Sequence, residues 1–412
     1  MKVTAQSRLT PVQLVIRPDR QGYIVEDAAA GDYYEMNELC VRALQRMQEG
    51  AAIGEIEAEL RERFPREDVD VIGFADQLQE MGLVAELDGV ALRRDEGPAQ
   101  GGVGAGRPAG DRQGGFAWIP ASFARFWFHP LLLLLYGCAI AANAAILIVR
   151  PDLFPRYGDV FLFDSMVLNS VVWLGLSFVL LMLHELGHIM AVRSFGLPAR
   201  LGIGHRFVFV VFETEMDGIW RLTPKQRNVA FLAGMGVDQL VLLLCLALQA
   251  AFPEQSGLIG GLAALAALDV FVKLAFQCCF YMKTDLYYVA ENVTGCYNLM
   301  ERSRDWLAGK LWKGRSAQKQ PEETRAVRWY ALFYAAGYVF SVTLIAVFFA
   351  PQLIVSVTTI VPWLAEPQQP ARFWDAVVFL VELLGLGGLL AYAWSKNRKS
   401  AGAEKKDRSA AR

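Results

Sequence analysis

Period-two alternation opens the chain. Val12, Leu14 and Ile16 alternate with other residues, Tyr23 and Val25 repeat the spacing, and Tyr33 to Met36 continues it, so three short strands are predicted. The period then lengthens to that of a helix. Asn37 stands as a cap before a helix whose apolar face is Cys40, Ala43, Leu44 and Met47, with Gly50 ending it. Ile53, Ile56, Leu60 and Phe64 mark a second helix, stopped by Pro65. Asp68 is expected to cap a third, with Val71, Ala75, Leu78 and Met81 inward and Gly82 as terminator. Beyond it, Asp88-Gly89 is a hairpin signal. Three strands, three helices and a wing make residues 1–94 an α+β, winged-helix-like domain.

Residues 95–115 are dense in Gly and Pro without apolar periodicity, the composition of a flexible linker. From Phe116 the pattern is that of a polytopic α-helical membrane protein. Apolar runs long enough to span lie near 128–149, 168–190, 229–251, 258–282, 329–350 and 373–394, about six helices within residues 116–395. Segments 193–228, 283–328 and 396–412 carry six, nine and seven Lys/Arg, whereas 151–170, 252–257 and 363–372 carry at most one each. The positive-inside rule then puts both termini and the basic tail 396–412 in the cytoplasm of a cell membrane, expected to be bacterial. The start, MKVTAQSRLTPVQ, lacks the apolar core of a cleavable signal peptide.

Composition agrees: 54% of residues are hydrophobic, too many for an ordinary soluble protein. A formal net charge of −2 gives no reason to expect nucleic acid as a partner, and the winged-helix-like domain lacks a basic recognition helix. The six cysteines (40, 138, 245, 278, 279 and 296) form no C-x-x-C pair and read as small buried hydrophobes.

Chemistry concentrates in His184-Glu185-Leu186-Gly187-His188. Four residues are about one helical turn, so both imidazoles project from one face and can share a metal ion. Glu185, beside the first ligand, is placed to take a proton from water, the arrangement of a zinc metalloprotease. Three ionisable groups inside a membrane helix are costly unless functional. A third ligand is expected at the same depth on another span. Asp285, in FYMKTDLYYV, meets that requirement, and Glu291 and Asp269 compete with it; Asp269 has Lys273 at i+4 and suits an internal ion pair. His205 reads as a turn histidine and His129 as an interfacial one. The apolar run Phe207 to Phe212, bounded by Gly204 and Asp217-Gly218, is β-prone and too short to span as a helix.

These residues resemble the site-2 proteases, intramembrane zinc metalloproteases with an HExxH helix and a distant aspartate. Aligned on Asp285, the chain has Gln277, Phe280, Met282 and Leu286 where that family has Asn, Pro, Pro and Gly, and KTDLYYV looks closer to the branch of putative peptide zinc metalloproteases. Gly234-Met235-Gly236-Val237-Asp238 stands where the family carries Gly-Pro-x-x-Asn. The resemblance implies that Asp238 orients substrate or a metal ligand, and that a hairpin near the site pairs with extended substrate.

Residues 11–92 are similar to PqqD-like domains, which recognise leader peptides of ribosomally made, modified peptides. The likeness rests on the strand pattern, GDYYEMN, the helix opening at Gly50-Ala51-Ala52-Ile53 and the ending Gly82-Leu83-Val84. It implies that a leader adds as a strand along Asp32, Tyr33, Tyr34, Glu35 and Met36, with Val71, Ala75 and Leu78 nearby. The combined expectation is a leader-guided zinc endopeptidase that cleaves a precursor peptide. The alternatives are a regulatory protease cutting a membrane-anchored regulator and a non-catalytic exporter or immunity component. A membrane-protein partner or a second copy of the chain stays open.

Overall fold

A computed structural model describes residues 3–20, 22–92, 115–163, 165–206, 209–216, 218–252, 257–311 and 325–410. It divides into two units, the first being Met1–Trp118 with Leu197–Ala199 and Met216–Arg227. The second comprises Ile119–Gly196, Arg200–Glu215 and Asn228–Arg412. The expected linker 95–115 lies outside the described residues, save for Gly115.

In the first unit, β1 (Leu9–Pro11), β2 (Leu14–Pro18), β3 (Tyr23–Asp27) and β4 (Tyr33–Met36) precede α1 (Glu38–Gln48), α2 (Ile53–Arg63) and α3 (Val71–Glu80). The wing follows as β5 (Val84–Leu87) and β6 (Val90–Ala91). Strands order as β2-β3-β4 in one antiparallel sheet and β1-β5-β6 in another. Asp88 and Gly89 both take positive φ, 52° and 78°, as a tight two-residue turn requires. Asn37 caps α1 by accepting from Cys40 N at 2.8 Å. The apolar faces of the three helices meet in one core that includes Leu44, Met47, Ile53, Ile56, Leu60, Val71, Ala75 and Leu78. Three expectations change. Val41 rather than Cys40 completes the inward face of α1. Asp70, not Asp68, caps α3, because its carboxylate reaches Gly73 N at 2.8 Å from the residue next to the helix. The strand β1, too short to show a period, pairs with β5.

Strand register decides which N–H groups of β4 point toward β3. Asp27 N donates to Asp32 O at 2.9 Å, so that pair is hydrogen-bonded; pairs then alternate along the ladder Glu26–Tyr33, Val25–Tyr34, Ile24–Glu35. Tyr34 N–H therefore points toward β3, whereas Tyr33 and Glu35 turn theirs away from it.

On the outer face of this sheet Ile24, Glu26 and Tyr33 are buried, whereas Val15 and Glu35 are exposed. Glu26 is 2% exposed and accepts from Arg17 Nη1 at 2.6 Å and Arg221 Nε at 2.8 Å. Asp19 and Arg227 form a second buried pair at 3.0 Å. Burial opposes ionisation of Glu26, but the Arg17 and Arg221 guanidiniums outweigh it and hold the carboxyl below its ordinary 4.5. Its contribution to stability is accordingly present above that unfolded value and lost as pH falls through the lower folded one. Glu26→Gln should destabilise the protein by about 2 kcal/mol near neutral pH. The gap from wild type should close progressively as the pH is lowered below 4.5. Thermal melts across that range check this, and a gap independent of pH would assign Glu26 a packing role only.

The second unit is helical: α4 (Ala121–Trp127), α5 (Pro130–Val149), α6 (Met166–Ser194), then the hairpin β7 (Arg200–Arg206) and β8 (Phe209–Glu215). The long α7 (Pro224–Ala251) follows, starting in the first unit, and then α8 (Leu258–Gln277), α9 (Asp285–Thr294), α10 (Leu299–Leu311) and α11 (Arg325–Leu344). A π turn at Ile345–Phe349 leads into α12 (Ala350–Ile360), and α13 (Pro370–Ala410) ends the fold. Six helices are long and apolar enough to cross a membrane: Ala121–Val149, Val167–Ser194, Pro224–Ala251, Leu258–Gln277, Arg325–Val347 and Pro370–Tyr392. The fourth ends earlier than the expected 258–282. Thr284 donates its hydroxyl to Gln277 O at 2.8 Å and Lys283 takes φ 54°, which breaks the helix and starts α9. The expected β-hairpin is formed by β7 and β8, with Arg206 opposite Phe209; residues 207 and 208 lie outside the described set. Leu180 of α6, Leu242 and Leu246 of α7, and Ala266, Ala267 and Val270 of α8 pack together, fixing the three helices that frame the site.

Candidate functional site

His184 and His188 lie one turn apart on α6, and their Nε2 atoms stand 3.2 Å from each other. Asp285, the first residue of α9, brings Oδ2 to 3.0 Å from His184 Nε2 and 3.4 Å from His188 Nε2. The three residues form a cluster able to hold a metal ion. The far sides of the rings are also engaged. His184 Nδ1 contacts Asp238 Oδ2 at 2.7 Å and His188 Nδ1 contacts Ala230 O at 2.8 Å. A carbonyl oxygen only accepts, so Nδ1 of His188 carries a proton; the Asp238 carboxylate imposes the same tautomer on His184. With neutral rings in that tautomer, both Nε2 lone pairs and the Asp285 carboxylate oxygen face one another, a donor set suited to a cation. Ligand atoms around tetrahedral zinc stand about 3.3 Å apart, and the observed 3.0, 3.2 and 3.4 Å match that spacing. The residues fit zinc.

Two glycines make room for this cluster. A Cβ on Gly187 would meet Ala233 O at 2.8 Å, so its absence lets α6 lie close against α7. A Cβ on Gly234 would fall 2.5 Å from His188 Nε2 and 2.6 Å from His184 Nε2. The imidazoles occupy the space a side chain on α7 would take.

Gln277, the last residue of α8, holds Asp285 with both ends of its carboxamide. Nε2 donates to Asp285 Oδ2 at 2.7 Å and Oε1 accepts from Asp285 N at 3.0 Å. The competing ligands lie elsewhere. Glu291 accepts from the Tyr287 hydroxyl and from Leu299 N at 2.8 Å, and burial pushes its carboxyl up to about 7, fitting a structural link from α9 to α10. Asp269 pairs with Lys273 at 2.5 Å, and Lys273 donates to Ser177 O at 3.0 Å, tying α8 to α6 within the membrane region. His129 is exposed between α4 and α5. His205 pairs through its backbone in β7, and its side chain lies outside the described residues. Glu185 is buried beside the two histidines, 6% exposed, and accepts from Thr214 Oγ1 at 2.7 Å.

At β4 the side chains of Tyr34 and Met36 belong to the core of their own domain, as do Val71, Ala75 and Leu78 of α3. Asp32 and Tyr33 are buried too, the Tyr33 hydroxyl lying 3.4 Å from Glu26. Among the five expected contact residues only Glu35 is exposed. An added strand would therefore engage the backbone of β4 rather than these side chains.

Residues 16–84 match the PqqD family. Its description is coenzyme PQQ synthesis protein D, and the match runs from within β2 to the first residue of β5. The PqqD-like region thus covers the β2-β3-β4 sheet and all three helices, inside the 11–92 expected from the sequence. No curated protein and no solved structure matches the chain significantly.

Sequence reasoning missed Gly234 as a spacing device, Gln277 as the clamp on Asp285, Ala230 O behind His188, and Thr214. Gly234 and Gln277 stand at positions already aligned with motif residues. A backbone carbonyl and a threonine from a separate strand leave no such signal.

Proposed function

We propose that the protein is an intramembrane zinc endopeptidase that captures a ribosomally made precursor peptide through its leader. The PqqD match suggests a role in the handling of such peptides, and six membrane-length helices suggest a membrane setting. The observation carrying the protease reading is the convergence of His184 and His188 Nε2 with Asp285 Oδ2, and Glu185 next to them on the same helix. His184, His188 and Asp285 would hold the ion. Zinc, when bound, supplies a Lewis acid for the scissile carbonyl and acidifies water. Glu185 accepts the proton of the attacking water as the new C–O bond forms, then returns it to the amide nitrogen as the C–N bond breaks. Asp238 and Ala230 O hold the imidazoles in the tautomer that leaves Nε2 bare, and Gln277 holds Asp285. The open edge of β4 takes the leader as an added strand. The membrane topology with both termini cytoplasmic belongs to this proposal.

Trapping tests it. A Glu185→Gln protein should retain an uncleaved peptide, identified by mass spectrometry. A proline at Glu35 removes an N–H that points away from β3, so it should reduce capture at least tenfold without breaking the β3–β4 ladder. Proline at Tyr34 would instead break the β3–β4 ladder and unfold the sheet. Point substitution is cleaner than deleting the domain, since deletion would strip Arg221 and Arg227 of Glu26 and Asp19. Trapped proteins with their own transmembrane span, captured equally by the Glu35→Pro protein, would favour a regulatory protease instead.

A further inference from the structure

Each ligand of the candidate metal centre has a partner on a neighbouring element: Asp238 for His184, Ala230 O for His188, Gln277 for Asp285. Glu185 is held from the hairpin. Thr214 Oγ1, near the end of β8, lies 2.7 Å from Glu185 Oε2 and 3.3 Å from the Glu185 main-chain oxygen. Both are acceptors and a hydroxyl has one proton, so the shorter contact to the carboxylate takes it. At 2.7 Å this is a charge-assisted bond, the strong class of hydrogen bond. The two carboxylate oxygens are thereby made unequal: Oε2 is engaged, leaving Oε1 to take a proton.

The rest of β8 supports that contact. Thr214 is fixed in register opposite Leu201. Phe212, two residues earlier and so on the same face of the strand, packs its ring edge-on to Phe178 with centroids 5.9 Å apart. Phe178 lies two turns before Glu185 on the same side of α6. One face of the strand thus runs along one face of the helix, and Thr214 is where that contact reaches the carboxylate. Valine has the same shape as threonine and suits a strand equally well. The hydroxyl is what the position adds.

We infer that Thr214 is a positioning residue for the general base: its hydroxyl fixes Glu185 Oε2 so that Oε1 faces the reacting water, which makes the base competent only while the hairpin is seated on α6. This rests on the reading of Glu185 as the base. A base displaced by about 1 Å loses on the order of 100-fold in rate. Thr214→Val should therefore lower kcat by about 10- to 100-fold with KM and zinc content near wild type, and Thr214→Ser should restore kcat to within a few-fold.

Two readouts on the full-length protein in detergent test this. Difference infrared spectra against Glu185→Gln identify the Glu185 carboxylate stretch. That band should shift in Thr214→Val and stay in place in Thr214→Ser. Hydrolysis of fluorescein-labelled casein supplies kcat and KM, with Glu185→Gln as the blank. An unshifted band in Thr214→Val, or kcat within two-fold of wild type, overturns the inference while leaving Glu185 as the base. Should valine impair folding, Thr214→Ser is compared with Thr214→Ala. Equal loss in both places the role in the methyl group and also overturns it. Activity retained in Glu185→Gln would sink the reading beneath it instead.

Discussion

Alanine at His184 or His188 is expected to abolish zinc retention and peptide cleavage together, whereas Glu185→Gln should abolish cleavage and keep the metal. The two imidazoles supply ring nitrogens 3.2 Å apart, and losing one leaves Asp285 with a single imidazole partner. Glu185 contributes no atom to that cluster. Loss of a general base costs about 10²- to 10⁴-fold in rate. Metal analysis of purified protein beside a cleavage assay separates the outcomes. Asp285→Ala should follow the histidines. Gln277→Ala, which removes only the clamp on Asp285, should weaken zinc affinity by about 10- to 100-fold. Glu291→Gln and Asp269→Asn should leave zinc in place. Equal zinc loss in all of these proteins, Glu185→Gln included, would indicate general unfolding and remove the ground for assigning separate roles.

Gly234→Ala should be as damaging as losing a ligand, although it deletes nothing. The added methyl would lie 2.5 and 2.6 Å from the two Nε2 atoms, far inside van der Waals contact. Neither the close α6–α7 packing at Gly187 nor the ring orientations set by Asp238 and Ala230 allow the imidazoles to retreat. Overpacking of this kind typically costs about 1 to 3 kcal/mol, roughly 5- to 150-fold in any equilibrium that needs the native geometry. Zinc content should fall below detection while the helical circular dichroism stays near wild type. Gly388→Ala, at a position with open space around it, serves as the control and should change neither. Retained zinc in Gly234→Ala would mean that the rings do not stand where they are described.

Much of this protein is legible along the chain because the deciding signals are local. A period of 3.6 with a cap at Asn37 sets α1, and Asp88-Gly89 sets the wing, since each depends on residues a few positions apart. Membrane-length helices follow from uninterrupted apolar runs, because in lipid the backbone must satisfy itself within one segment. The pair His184 and His188 with Glu185 is equally local, one turn of one helix. Beyond one element that legibility ends. The choice of Asp285 over Glu291 and Asp269 depended on where α8 breaks, and that break is made by a Thr284 hydroxyl reaching back to Gln277 O. Gly234, Ala230 and Thr214 stand 46, 42 and 29 positions from the residues they serve. Their importance comes from helix and strand packing, which has no period in the sequence. The outer edge of β4 is similar: alternation predicted the strand, but only its pairing with β3 decided that Tyr33 and Glu35, rather than Tyr34, turn their N–H groups away from β3. What the sequence determined by itself was which segments are helix, strand or span and where two candidate ligands and a candidate base lie. Tertiary structure decided that Asp285 joins the two histidines, what each ring's Nδ1 contacts and that Thr214 reaches Glu185, because each is a contact between elements whose separation along the chain carries no information about their distance in space.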